Sequence, residues 1–133
     1  MKTPNIFISH RWAYRGDYYS LTTKFNELGW KHFDYSVPIH DSFELKRKKE
    51  IEEALREQVR QCNFFIVSAR MSSLHSAWIE KEVKAASDYS KYILGVKPWD
   101  YQGNIPLFIQ NTANQIVGFN TPTIINIIEN YLR

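Results

Sequence analysis

Phe64-Phe-Ile-Val-Ser68, then Ala69 to His75, then Ser76-Ala-Trp-Ile-Glu-Lys-Glu82, is the stretch that decides the fold. The first five residues show no alternation of polar and apolar side chains, which marks a strand buried on both faces. The last seven open a helix running from about Leu74 to Ser90, so the unit reads strand, loop, helix. Trp78 and Glu82 stand four apart and share one face of that helix, with Ile79, Val83 and Ala86 on an apolar stripe beside them. His75 lies one turn before this pair and Tyr89 two turns after. A carboxylate on an aromatic-rich stripe near a helix start points to a cleft. The plainer reading is a solvated Glu82 beside a half-buried Trp78, since charged side chains usually sit outside.

Outward from this unit the same alternation repeats. Strands are expected at Asn5–Ser9, Lys31–Tyr35, Asn63–Ser68, Tyr92–Val96 and Gln115–Gly118. Between them, Asp17 is placed to cap a helix from Tyr18 to Glu27, with Leu21, Phe25 and Leu28 inside and Gly29 ending it. A second helix spans about Phe43 to Gln61, with Leu45, Ile51, Leu55 and Val59 apolar and the opposite face charged. The chain from Trp99 to Ala113 reads as irregular. A final helix starts with Thr121 as N-cap and Pro122 in the first turn, and turns Ile124, Ile125, Ile128 and Leu132 inward. Alternating short apolar strands and helices specify an α/β fold, a parallel sheet of about five strands with helices on both faces. Ligands in such folds bind beyond the carboxyl ends of the strands. Three loops leave that edge, His10 to Asp17, Ser36 to Ser42 and Ala69 to His75, and the third delivers Trp78 and Glu82.

At 133 residues the chain reads as a single domain, 1–133, with 44% apolar, 23% charged and an abundant 15% aromatic residues. Net charge is +3, and the densest basic cluster, Lys46-Arg-Lys-Lys49, is answered at once by Glu50, Glu52 and Glu53, so no nucleic-acid stripe is expected. Cys62 stands alone, which rules out an internal disulfide, and no Cys/His spacing suits zinc. No leader and no membrane-length apolar run is read, so the expected compartment is the cytoplasm and no membrane partner is expected. Gly-x-Gly-x-x-Gly and Walker-type Gly-Lys-Ser/Thr are both missing, which argues against dinucleotide oxidoreduction and P-loop hydrolysis. Cys62 adjoins a buried strand and reads as packing. Ser9 and His10 are strand neighbours pointing to opposite faces, a poor nucleophile–base pair. Asp34, Asp41 and Glu82 could suggest a metal or phosphoacceptor site, but a response-regulator pocket wants carboxylates where Ser9-His10-Arg11 stand.

Ile6-Phe-Ile-Ser-His10, Phe33-Asp-Tyr-Ser-Val-Pro38 and Ser76-x-Trp78-x-x-x-Glu82, in this order, resemble the TIR domain family, and within it the short TIR-like (ThsB-type) proteins of bacterial Thoeris anti-phage defence. Gly95-Val-Lys-Pro-Trp99 and Val117-Gly-Phe-Asn-Thr121 extend the likeness over nearly the whole chain. The resemblance implies a flavodoxin-like, three-layer fold and cleavage of NAD⁺, as substrate and not cofactor, at the nicotinamide–ribose bond. It implies Glu82 as the catalytic carboxylate and Trp78 as a stacking wall. Ser9, His10, Arg11 and Trp12 would cradle the substrate, with Asp34 and Asp41 on the loop that closes over it; no metal is implied. It also implies a cyclic or linear ADP-ribose-type signal that activates a separate effector, a phage-derived trigger, and self-assembly through TIR contacts. The residue after Trp78 is Ile79 where the family usually has Cys. The first loop also differs from the common animal and plant version, which leaves the product open. Two other readings stay open: a non-catalytic TIR interaction module, and a nucleoside deoxyribosyltransferase-like enzyme sharing the sheet and a catalytic Glu.

Overall fold

A computed structural model describes residues 3–9, 16–34, 48–69, 76–98, 101 and 103–132. Phe64–Ser68 (β3) is buried at every position, as its unbroken apolar run requires. It pairs in parallel with Asn5–Ser9 (β1) on one side and Ile93–Lys97 (β4) on the other. Phe33–Asp34 (β2) and Gln115–Gly118 (β5) close the two edges, giving a five-stranded parallel sheet in the order β2-β1-β3-β4-β5. This is the flavodoxin-like order. One row of the register aligns Ser9 with Val67, Val67 with Gly95, and Gly95 with Ile116.

Strand alternation divides the core in two. On one face Phe7, Phe65, Val67 and Ile93 pack under helices Lys48–Gln61 (α2), Ser76–Asp88 (α3) and Leu107–Thr112 (α4), through Leu55, Val59, Ile79, Val83, Ala86 and Ile109. On the other, Ile6, Ile8, Phe64, Ile66, Leu94 and Val96 meet Leu21 and Phe25 of Gly16–Glu27 (α1) and Ile124 and Ile128 of Thr121–Leu132 (α5). Phe7 and Phe65 stack across the first face with ring centroids 5.2 Å apart. Arg56–Asp88, at 2.9 Å, and Lys81–Glu52 bridge α2 to α3 on the surface.

Several local expectations are corrected. α1 begins at Gly16, so Asp17 lies in its first turn and is not the N-cap. Leu28 is 55% exposed, not part of the inner face, because the chain has already left the helix there. Gly29, at φ +67°, closes it: its N–H bonds Asn26 at 3.0 Å and that of Trp30 bonds Phe25 at 2.9 Å, a Schellman stop. β2 has two residues where five were expected; Lys31 and His32 fall outside it, and Tyr35 lies outside the described residues. So do residues 43–47 of the expected second helix, with Leu45, and the side chain of Ile51. The supposedly irregular Trp99–Ala113 contains α4, whose six residues are too few for a helical period to show. At α5 the N-cap is Asn120, not Thr121: Asn120 Oδ1 accepts the Thr123 N–H at 3.0 Å.

Candidate active site

In the order β2-β1-β3-β4-β5, connections leave β1 towards one edge and β3 towards the other, so the crevice of the sheet opens at the carboxyl ends of β1 and β3. Ser9 is the last residue of β1, and alternation puts it on the same face as Phe7, beneath α3. α3 meets that face through Ile79, Val83 and Ala86. Glu82 belongs to the same helical series: 79, 82, 83 and 86 repeat at the three- and four-residue steps of a single docking face. The helix therefore carries its carboxylate to the sheet. Glu82 is 0% exposed and Ser9 1% exposed, and Ser9 Oγ donates to Glu82 Oε1 at 2.6 Å.

That geometry rules out the plainer reading of Glu82. It is not a solvated surface charge. Removing a carboxylate from water is costly, and an apolar residue in this stripe would pack at no such cost. A buried carboxylate with a specific partner, set where the fold opens its ligand crevice, makes Glu82 the candidate functional group.

Of the other expected site residues, the structure brings none demonstrably to this pair. Asp34 is exposed at the sheet edge and aligns with Ile6, three residues short of Ser9, so it sits about 10 Å down the sheet. Trp78 lies on α3, one turn before Glu82, with its side chain outside the described residues. His10, Arg11, Trp12 and Asp41 lie outside them entirely, as do most of the three crevice loops. The Ser9–Glu82 bond is what sequence reading missed, although both signals were present: Ser9 in phase with Phe7, and Glu82 in phase with Ile79 and Val83. Cys62 precedes β3 at the opposite end of the sheet, and burial pushes its thiol up to about 11, so it does not serve this site. A cavity of about 500 Å³ between Asn26, Trp30, Lys31, His32 and Phe33 also lies at that far end, with no carboxylate among the described residues that line it.

The family model described as "Thoeris protein ThsB, TIR-like domain" matches residues 7–103, well over half of the chain and inclusive of Ser9 and Glu82. This chain belongs to the ThsB TIR-like family. No curated protein sequence matches it. Among solved structures, the ThsB-like fold described above is similar to a CMP N-glycosidase, BcmB, of Clostridium botulinum. The two share 12% identity with a TM-score of 0.55, over 94% of this chain and 98% of that one. At this identity the likeness is one of fold.

No helix among the described residues is long and apolar enough to cross a membrane.

Proposed function

We propose that this ThsB-like protein acts in Thoeris-type anti-phage defence by breaking the N-glycosidic bond of a nucleotide, with NAD⁺ as substrate and Glu82 as the catalytic carboxylate. The observation that carries this reading is the fully buried Glu82 at the crevice between β1 and β3, hydrogen-bonded to Ser9. In NAD⁺ the C1′–N bond breaks with its electron pair passing to the pyridinium nitrogen, so nicotinamide leaves neutral and positive charge develops on the ribose. A fixed carboxylate shielded from water stabilises that charge, or orients the ribose hydroxyls, as the carboxylates of glycosidases do. The new bond to C1′ is made by water, giving ADP-ribose, or by a nucleophile within the same molecule, giving a cyclic isomer. Trp78 would stack against the nicotinamide. His10, Arg11, Trp12, Asp34 and Asp41 would hold the rest of the dinucleotide, and the released nucleotide would signal to a separate effector protein.

A second substrate reading has its own support. One structural neighbour is a CMP N-glycosidase, and cleavage of a pyrimidine nucleotide develops the same positive charge on the sugar, the electron pair of the C1′–N bond passing to cytosine, which takes up a proton as it leaves.

Nucleotide mass spectrometry of phage-challenged cells, comparing wild type with Glu82→Gln, tests the proposal. Parallel incubations of purified protein with NAD⁺ or CMP separate the two substrates. Nicotinamide release and an ADP-ribose-type species are expected from wild type alone, with loss of at least roughly 100-fold in Glu82→Gln. Equal release by both proteins overturns the role of Glu82. Protection from phage with identical nucleotides in both strains supports an interaction module instead.

A further inference from the structure

We propose that Ser9 acts on the reaction through Glu82, as a positioning residue, and does not bind substrate. This rests on the reading of Glu82 as the reacting carboxylate. A serine hydroxyl has one proton to donate, and that of Ser9 is given to Glu82 Oε1 at 2.6 Å. Ser9 is 1% exposed, enclosed together with the carboxylate that accepts its proton. Its position is rigid for two reasons. β1 pairs it with Val67 of the fully buried β3, and Phe7, two residues earlier, anchors the same face under α2 and α3.

Glu82, by contrast, stands on a helix and has three side-chain torsions to settle. A fixed donor on the central sheet selects one of its rotamers and holds one oxygen, so the carboxylate meets the developing charge without reorganising. The same bond favours the ionised form of the carboxylate, which is the form that stabilises a cationic sugar. The sheet thus supplies the geometry and the helix supplies the charge.

Ser9→Ala removes one oxygen and adds nothing, so the fold tolerates it; Ser9→Thr keeps the hydroxyl on a side chain suited to a strand. In steady-state assays of the full chain, Ser9→Ala is expected to lower kcat about tenfold or more while KM stays within about twofold, and Ser9→Thr to recover most of the loss. A raised KM with unchanged kcat would overturn the proposal and make Ser9 a substrate contact. A second measurement is independent of turnover: ¹³C NMR titration of glutamate-labelled protein, with the Glu82 carboxyl identified by its absence in Glu82→Gln. The Glu82 midpoint is expected to move to higher pH in Ser9→Ala and to return in Ser9→Thr. An unmoved midpoint sinks the proposal whatever the protein's activity. Failure of the functional reading shows differently, as equal base release by wild type and Glu82→Gln.

Discussion

At the scale of single residues, two buried ionisable side chains of opposite character stand among the described residues. Glu82 is held by a specific donor at the crevice, whereas Cys62 is enclosed at the far end of the sheet, where burial raises its pKa against the opposing pull of Lys91 and of backbone hydrogen bonds. A thiol whose pKa is raised to about 11 is almost wholly protonated near neutrality and inert to thiol reagents. At pH 8 a chromogenic disulfide reagent is therefore expected to leave the native protein unlabelled and to modify one thiol per chain in urea. Linkage adds a pH signature. The folded state favours the neutral thiol, so this stabilisation is complete below the ordinary value of 9.0 and is lost as pH rises through about 11. Chemical denaturation between pH 8 and 11 should show wild type losing its stability advantage over Cys62→Ala. A constant difference would mean that the thiol is not buried in solution.

At the scale of elements, helix ends and small residues set how closely the layers approach. α3 stops as α1 does, with Ser90 N–H bonding Ser87 at 3.0 Å and Lys91 N–H bonding Ala86 at 2.9 Å. Its left-handed residue is Ser90, at φ 56°, where α1 uses Gly29. A side chain in that region costs about 1 kcal/mol, only partly offset by the greater freedom of glycine in the unfolded chain. Ser90→Gly is expected to raise the melting temperature by a few degrees, as read by calorimetry; an unchanged or lowered value would contradict the strain. On β4, a Cβ at Gly95 would come within 3.1 Å of Ile116 and 3.3 Å of Ile109, so its missing side chain lets α4 settle on the sheet. α4 itself, at six residues, carries too little pattern to declare itself.

At the scale of the whole molecule, β3 joins the two cores, sending Phe65 and Val67 to one and Phe64 and Ile66 to the other. Neither core can be lost without the strand that also forms the other. We expect one cooperative transition in denaturant, with near- and far-ultraviolet circular dichroism coincident, and Phe65→Ala and Ile66→Ala each lowering the same midpoint by roughly 2–5 kcal/mol of stability. Separate transitions in either variant would show independent halves. The fold was legible in the sequence because its signals are local and repeated. Unbroken apolar runs such as Phe64–Ser68 mark buried strands, the 79, 83, 86 stripe marks a docked helix, and their alternation leaves a parallel sheet as the solution. The resemblance carried by Trp78 and Glu82 then named the family. What the sequence could not settle was the environment of Glu82. Its phase allowed either a solvated edge or the docking face, and hydropathy favours the first. Only the crossing of α3 over the end of β1 decides it. That crossing brings Glu82 to Ser9, 73 positions away in sequence, and depends on the combined packing of both layers, which no local window of residues contains.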